Sequence, residues 1–171
     1  MNILLTGQPG IGKTTAIRRI VSKIGPDKTG GFWSEEIREG RHRVGFKIRT
    51  IEGEEGILAH VQLAAGPRVS KYTVNVTAVR EIAVPAMRRA REDGCIVVVD
   101  EIAKMELFSP EFRKEVLNCL DAGRTVGTIQ NRSTDFLEEV RSRDDITLME
   151  ITHGDRDEIP DRVVALLKDA I

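Results

Sequence analysis

A glycine-rich segment near the amino terminus constrains the fold more than any other part of the sequence. Four residues, Gly7, Gly12, Lys13 and Thr14, fit the pattern G-x-x-x-x-G-K-[ST] at full spacing. A loop that wraps a polyphosphate must turn several backbone N–H groups inward, and glycine reaches the necessary dihedral angles with little strain. A helix that begins near Lys13 adds its free N–H groups and the positive end of its dipole. The segment predicts a phosphate-binding loop, or P-loop.

The residues on either side of this loop favour phosphate binding over a plain glycine-rich turn. Residues 2–6 are predicted to form a buried strand, and apolar residues recur at helical spacing from Ile17 to Ile24. Lys13 is predicted to reach the β- and γ-phosphates, and the Thr14 hydroxyl to bind Mg²⁺. The predicted nucleotide-binding residues are Gly7, Gln8, Pro9, Gly10, Ile11, Gly12, Lys13, Thr14 and Thr15.

Length and composition indicate the number of domains and the classes of protein that the chain is not expected to belong to. The 171 residues suit one domain, 1–171, with a β-rich elaboration at about residues 30–75. With 26 basic and 27 acidic residues the net charge is −1, which argues against attraction to nucleic acid or to an anionic membrane. Cys95 and Cys119 form no C-x-x-C pattern and the three histidines show no ligand spacing, so we expect neither a disulfide framework nor zinc. No apolar run approaches the roughly 18 residues of a membrane span, and we expect a cytoplasmic protein.

Hydrophobic periodicity predicts an antiparallel region followed by alternating strands and helices. Glycines at 30 and 31 are predicted to break the chain before a hairpin of residues 32–38 and 43–50. Pro85 should bend or divide a helix over residues 77–93. Further predicted strands are residues 57–63, 72–74, 96–99, 125–129 and 146–151. Further helices are predicted from a Ser109 cap to Gly123, near residues 136–140, and from Ile159 to Ala170. The fold class is α/β, a mostly parallel sheet flanked by helices with an antiparallel β extension.

A second motif lies at the end of the apolar run of residues 96–99, which is followed directly by Asp100 and Glu101. This pattern is typical of a Walker B element beside a P-loop. Asp100 is predicted to hold Mg²⁺ through water, and Glu101 to act as the general base that deprotonates an attacking water. The alternative is that the two carboxylates only end a strand.

Three basic residues and one acidic residue near these motifs are weaker candidates for a role in the nucleotide site. Lys104 and Arg132 could place positive charge near the γ-phosphate, or each could be a surface charge. No N-K-x-D loop for guanine is present; Arg156 or His153, after the last predicted strand, could contact the base, or could belong to a solvated loop. Glu106 could support the site, pair with Lys104, or be solvated.

Four segments together carry a family resemblance: GQPGIGKTT, GFWSEEIR, GPRVSKYTVN and DEIAKMEL. The chain resembles the small nucleoside-triphosphatases that include the human cancer-related nucleoside-triphosphatase and its archaeal and bacterial relatives. The resemblance implies a RecA-like P-loop fold and Mg²⁺-dependent hydrolysis of several nucleoside triphosphates, ATP and GTP among them, to diphosphate and phosphate with loose base selectivity. It implies the same roles for Lys13, Thr14, Asp100 and Glu101. Ala103 and Ser70 stand where the family often has glycine.

Two other functions remain open at this point. In a nucleotide or small-molecule kinase, Glu101 would activate an acceptor hydroxyl instead of water. In a nucleotide-gated RNA-binding module, slow hydrolysis would reset a conformation of the protein. The balanced net charge and the lack of aromatic stacking residues disfavour this second function. The basic surface of such a module would consist of Arg38, Arg41, Arg43, Lys47 and Arg49.

Overall fold

The computed structural model describes residues 1–168, and their strands form a single nine-stranded sheet. The strands are β1 (Asn2–Thr6), β2 (Thr29–Glu39), β3 (His42–Thr50), β4 (Glu55–His60), β5 (Arg68–Val69), β6 (Tyr72–Val74), β7 (Ile96–Ile102), β8 (Thr125–Ile129) and β9 (Ile146–Glu150). Their spatial order is β5-β6-β4-β3-β2-β7-β8-β1-β9. Strands β2, β7, β8, β1 and β9 run parallel, and β3, β4, β6 and β5 continue the sheet with antiparallel pairings. The predicted fold class is confirmed.

Helices cover both faces of the parallel part of the sheet. They are α1 (Lys13–Ile24), α2 (Val76–Ala78), α3 (Val84–Glu92), α4 (Pro110–Ala122), α5 (Asp135–Arg141) and α6 (Ile159–Leu167). Ile3 and Leu5 belong to the apolar cluster of α1 and α6, whereas Leu4 between them belongs to the cluster of α3, α4 and α5. A strand buried on both faces alternates in this way. None of the helices in residues 1–168 is long and apolar enough to cross a membrane.

The predicted helix boundaries hold where a capping residue sets them. The Ser109 hydroxyl accepts a hydrogen bond from the Phe112 N–H at 3.2 Å, and α4 ends at Gly123 in the left-handed conformation. Pro85 divides its helix as predicted, because a π-helical turn, Val79–Ala83, precedes α3 and relieves the clash of the proline ring with the preceding turn. The last predicted helix residue, Ala170, lies outside the described residues.

The prediction of a break at Gly30 and Gly31 is wrong, because both residues lie inside β2. A Cβ on Gly30 would stand 2.7 Å from the Ala90 Cβ of α3, and one on Gly31 would stand 2.1 Å from the Val98 carbonyl oxygen of β7. These glycines therefore permit close packing within the sheet and against a helix. They allow β2 to pair in parallel with β7, and this pairing joins the antiparallel extension to the P-loop half of the sheet.

Gly31→Ala is expected to lower the free energy of unfolding by about 3 kcal/mol or more, because its φ of +111° is strained for alanine and its Cβ would strike the backbone of β7. Gly53→Ala is the matched control: φ is +100° there, but no atom lies within 4 Å of the added Cβ, so we expect a loss of only about 1 kcal/mol. Urea unfolding followed by circular dichroism measures both values. Equal losses would contradict the role assigned to the contact with Val98.

One departure from the family pattern has a clear local geometry. Ser70, in the turn between β5 and β6, has a φ of +55°, which lies in the left-handed region that favours glycine. Serine is less stable than glycine in this conformation, but the turn lies in the antiparallel extension, far along the sheet from the P-loop.

Candidate functional site

The P-loop lies between β1 and α1, as the sequence predicts. Gly12 has a φ of +110° and immediately precedes the first residue of α1, so the backbone turns into the helix at the point where its N–H groups are unpaired. Lys13 lies back over the loop: its Nζ donates to the Gly7 carbonyl at 2.9 Å and to the Gln8 carbonyl at 3.4 Å. The same ammonium is 4.0 Å from Glu101 Oε1. A cation and a carboxylate therefore meet at the mouth of the loop.

Asp100 is the most tightly held side chain of the site. It is 2% exposed, and its two oxygens accept hydrogen bonds from Thr14 Oγ1 at 2.7 Å and from Thr128 Oγ1 at 2.6 Å. The Ser34 hydroxyl donates to its backbone carbonyl at 2.9 Å. Burial raises the pKa of the Asp100 carboxyl, and the hydrogen bonds from Thr128 and Thr14 oppose that rise. Residues of α1 and β8 thus hold the Asp100 carboxyl group, and Ser34 of β2 holds its backbone.

The oxygens of Asp100 and Thr14 suit a magnesium ion. A carboxylate and a hydroxyl in contact are hard ligands, and Mg²⁺ binds through one or two such protein groups while the substrate phosphates and water complete its octahedron. Within residues 1–168, no group of three histidine, cysteine, aspartate or glutamate side chains could hold a metal ion.

Glu101, the residue after Asp100, has a carboxyl group of perturbed acidity. Burial raises the pKa of its carboxyl to about 7, opposed by the charge of Lys13 and helped by that of Asp100. Its side chain remains 29% exposed, so a water molecule can reach it. A carboxylate with a pKa near neutrality is matched to accepting a proton at neutral pH.

The raised pKa of Glu101 predicts a pH-dependent stability. The folded chain holds this proton more tightly than the unfolded chain, whose carboxyl has a pKa near 4.5. The contribution of Glu101 to stability is therefore greatest below that pH and falls as the pH rises toward about 7. In wild type this decrease in the free energy of unfolding should be on the order of 1 kcal/mol, a value kept small because the side chain is partly exposed. Glu101→Gln should abolish the decrease. Urea unfolding of the metal-free chain at several pH values tests this, and identical pH slopes for the two proteins would contradict it.

A cavity of about 1190 Å³ connects these groups. Its wall includes the P-loop, the end of β7, the segment after β8 and part of the antiparallel extension. Lys104, Arg132 and Lys13 all line it. Arg156 does not: it is exposed in the turn after β9, where its backbone N–H donates to the Thr152 carbonyl at 3.0 Å. His153 is exposed in the same turn.

Two further residues of this wall were not predicted from the sequence. The guanidinium of Arg141 donates to the backbone carbonyls of Gln130, at 2.8 Å, and of Arg132. The Gln130 side chain in turn accepts the backbone N–H of Lys104 at 3.1 Å. Arg141 therefore fixes the segment that carries Arg132 and links it to the segment after β7. Arg141 is the last residue of the amphipathic helix α5, and nothing in that pattern signals this role.

Of the three roles considered for Glu106, two are wrong: it is neither solvated nor paired with Lys104. The chain after β7 folds into a compact 3₁₀ turn, Glu106–Phe108, which the Ser109 N–H closes by donating to the Glu106 carbonyl at 3.1 Å. This turn leaves the Glu106 side chain only 3% exposed, at the cavity wall. Its Oε2 has no hydrogen-bond partner, and no lysine or arginine in the described part of the chain forms an ion pair with it.

Comparison with known proteins gives a consistent result over the whole chain. The family model described as NTPase matches residues 2–164. Nucleoside-triphosphatase THEP1 of Thermotoga maritima is 41% identical over 169 residues, which cover 98% of this chain and 96% of the relative. The crystal structure of THEP1 from Aquifex aeolicus matches with a TM-score of 0.89 and 36% identity, covering 98% of this chain and 99% of that one. The solution structure of a human cancer-related nucleoside triphosphatase matches with a TM-score of 0.81 and 32% identity, covering 99% and 98%.

Proposed function

The chain belongs to the NTPase family, and on that premise we propose that it is a Mg²⁺-dependent hydrolase that converts nucleoside triphosphates to diphosphate and phosphate with little selectivity for the base. One observation carries the proposal. The Thr14 hydroxyl is 2.7 Å from the Asp100 carboxylate, and the Lys13 ammonium is 4.0 Å from Glu101, so two motifs 86 residues apart form one site.

The P-loop binds the polyphosphate in this proposal. Its backbone N–H groups and the start of α1 face the phosphate oxygens, and Lys13 exchanges its two loop carbonyls for the β- and γ-phosphates. Thr14 and Asp100 are the residues that would hold Mg²⁺, Asp100 through water. When bound, Mg²⁺ supplies positive charge that offsets the charge of the phosphate oxygens.

Glu101 is the proposed general base. Its carboxylate accepts a proton from water as the water oxygen attacks the γ-phosphorus, and the bond to the β-phosphate oxygen breaks. Lys104 and Arg132 are proposed to stabilise charge that develops on the transferring group, because both line the cavity. For Arg156 we propose contact with the base, since the turn that carries it follows Ile151, whose carbonyl lies beside Gly7.

The shape of the cavity keeps a kinase as the second candidate. The wall continues past Glu101 along the antiparallel extension, where it includes Glu36, Arg43, Phe46 and Leu58. A molecule in this part of the cavity could present a hydroxyl in place of water. The chemistry at Glu101 would then be the same proton transfer with a different acceptor of the phosphoryl group.

The structure gives the RNA-binding alternative little support. Four of the five basic residues proposed for its surface pair with neighbouring glutamates: Arg38 and Arg43 with Glu36, and Lys47 and Arg49 with Glu35 and Glu55. A surface of paired charges attracts phosphates weakly. The continuity of the sheet across this region also supports our proposal that residues 1–171 form one domain.

Product analysis tests the proposed function. The purified chain is incubated with a panel of nucleoside triphosphates with and without Mg²⁺, and the products are separated. We expect diphosphate and phosphate in equal amounts from several bases, and none in EDTA. Phosphoryl transfer to an added nucleoside or nucleotide, without phosphate release in its absence, would favour the kinase instead.

A further inference from the structure

Glu106 is a buried acid at the reaction cavity that the proposed mechanism does not use. It shares the cavity wall with Glu101 and Lys13, yet its Oε2 has no partner among residues 1–168. An ionised carboxylate that is buried without a partner is strongly disfavoured, whereas the neutral acid needs only one acceptor for its O–H. Its burial therefore indicates the protonated form.

The charges around Glu106 favour the same form. The 3₁₀ turn that carries Glu106 packs against β7 and α4. From β7, the Glu101 and Asp100 carboxylates act on Glu106, and both add to the effect of burial, which raises its pKa well above 4.5. The one buried charged residue of α4 is Glu115, which is engaged with Arg91 at 2.7 Å. Among the residues that the structure describes, Glu106 thus faces negative charge and no ion-pairing cation.

We propose that Glu106 is a positioning residue for hydrolysis: its protonated carboxyl donates a hydrogen bond to Glu101 through one water molecule and so orients the Glu101 carboxylate for accepting the proton of the attacking water. This inference rests on the proposed role of Glu101. A neutral donor suits this position because a second ionised carboxylate would repel both Glu101 and the triphosphate. The proton of Glu106 stays on Glu106 throughout, so the step requires no further reactant.

Two variants of the full chain separate this role from a structural one. Glu106→Gln keeps a donor of similar size but cannot ionise, and we expect its kcat at neutral pH to stay within about threefold of wild type. Glu106→Leu keeps the volume but has no donor, and we expect its kcat to fall about tenfold or more, with an unchanged KM for Mg·ATP and an undiminished Tm.

The pH profile of kcat from about pH 5 to about pH 10 gives the decisive readout. Wild-type kcat should fall on the alkaline side as Glu106 ionises and loses its proton for donation, whereas Glu106→Gln should lack this alkaline fall. The same fall in both proteins, or wild-type kcat in Glu106→Leu, would overturn the proposal. If Glu106→Leu does not fold, the profile of Glu106→Gln decides alone.

Glu101→Gln in the same experiment distinguishes the two proposals. If the wild-type chain releases no phosphate, the proposed function itself fails. If Glu101→Gln retains full activity, the assignment of Glu101 as the base fails, and the role of Glu106 fails with it. If Glu101→Gln is inactive while Glu106→Leu is as active as wild type, only the role of Glu106 fails.

Discussion

Glu101→Gln is expected to bind Mg·ATP with wild-type affinity and to lose a factor of about 10² to 10⁴ in kcat. The amide preserves the size of the side chain and its place beside Lys13, but it cannot accept a proton from water. Phosphate release gives kcat. The only tryptophan, Trp33, gives the affinity by fluorescence, since its ring stacks with the guanidinium of Arg18 at 5.6 Å and Arg18 lines the cavity.

Glu36→Gln is the matched control for this substitution. Glu36 is another glutamate of the cavity wall, but it is engaged with Arg38 and Arg43 on the extension and has no assigned part in hydrolysis. Its kcat should stay within about twofold of wild type. Undiminished turnover in Glu101→Gln would refute the assignment of Glu101 as the base, and an equal loss in both variants would show only that the cavity is sensitive to its total charge.

Lys13→Ala should lose triphosphate binding and catalysis together, with kcat/KM lower by a factor of about 10³ or more. The ammonium lies at the mouth of the P-loop on two backbone carbonyls, where no other described lysine or arginine side chain donates to them. A water molecule can fill the space that alanine leaves, but it cannot supply the charge. Steady-state kinetics over a wide range of ATP concentration measures the loss.

Lys23→Ala controls for the removal of a lysine from the same helix. Lys23 is near the end of α1, half-exposed and paired with Asp161 at 2.8 Å, far along the helix from the P-loop. Its kinetics should match wild type. Full activity in Lys13→Ala would overturn the P-loop interpretation, because the pattern would then be a turn without a phosphate-binding role.

The parts of this molecule that depend on local chemistry could be predicted from the sequence. A P-loop requires its glycines, lysine and threonine in a fixed order, and a buried parallel strand reads as an apolar run that ends in carboxylates. Because the carboxyl ends of parallel strands meet at one edge of the sheet, Thr14 and Asp100 were expected together, and the structure brings them to 2.7 Å.

The remainder depends on contacts between distant segments. Thr128 hydrogen-bonds Asp100 because β8 lies beside β7. The only sequence signal for this contact was a threonine within an otherwise apolar strand. Gly31 resembles a turn residue until β7 is placed against it. Glu106 looks solvated because acids usually are, and only the turn that follows β7 buries it. Tertiary packing decides all three positions, and local patterns do not record it.

A crystal structure of Glu101→Gln with Mg²⁺ and ATP tests the central claim most directly. The account predicts that the γ-phosphate lies on Lys13, that the Thr14 hydroxyl ligates Mg²⁺ with Asp100 behind it, and that a water molecule lies between the γ-phosphorus and the side chain at position 101. A triphosphate bound away from the P-loop, or a γ-phosphate with no water between it and position 101, would contradict it.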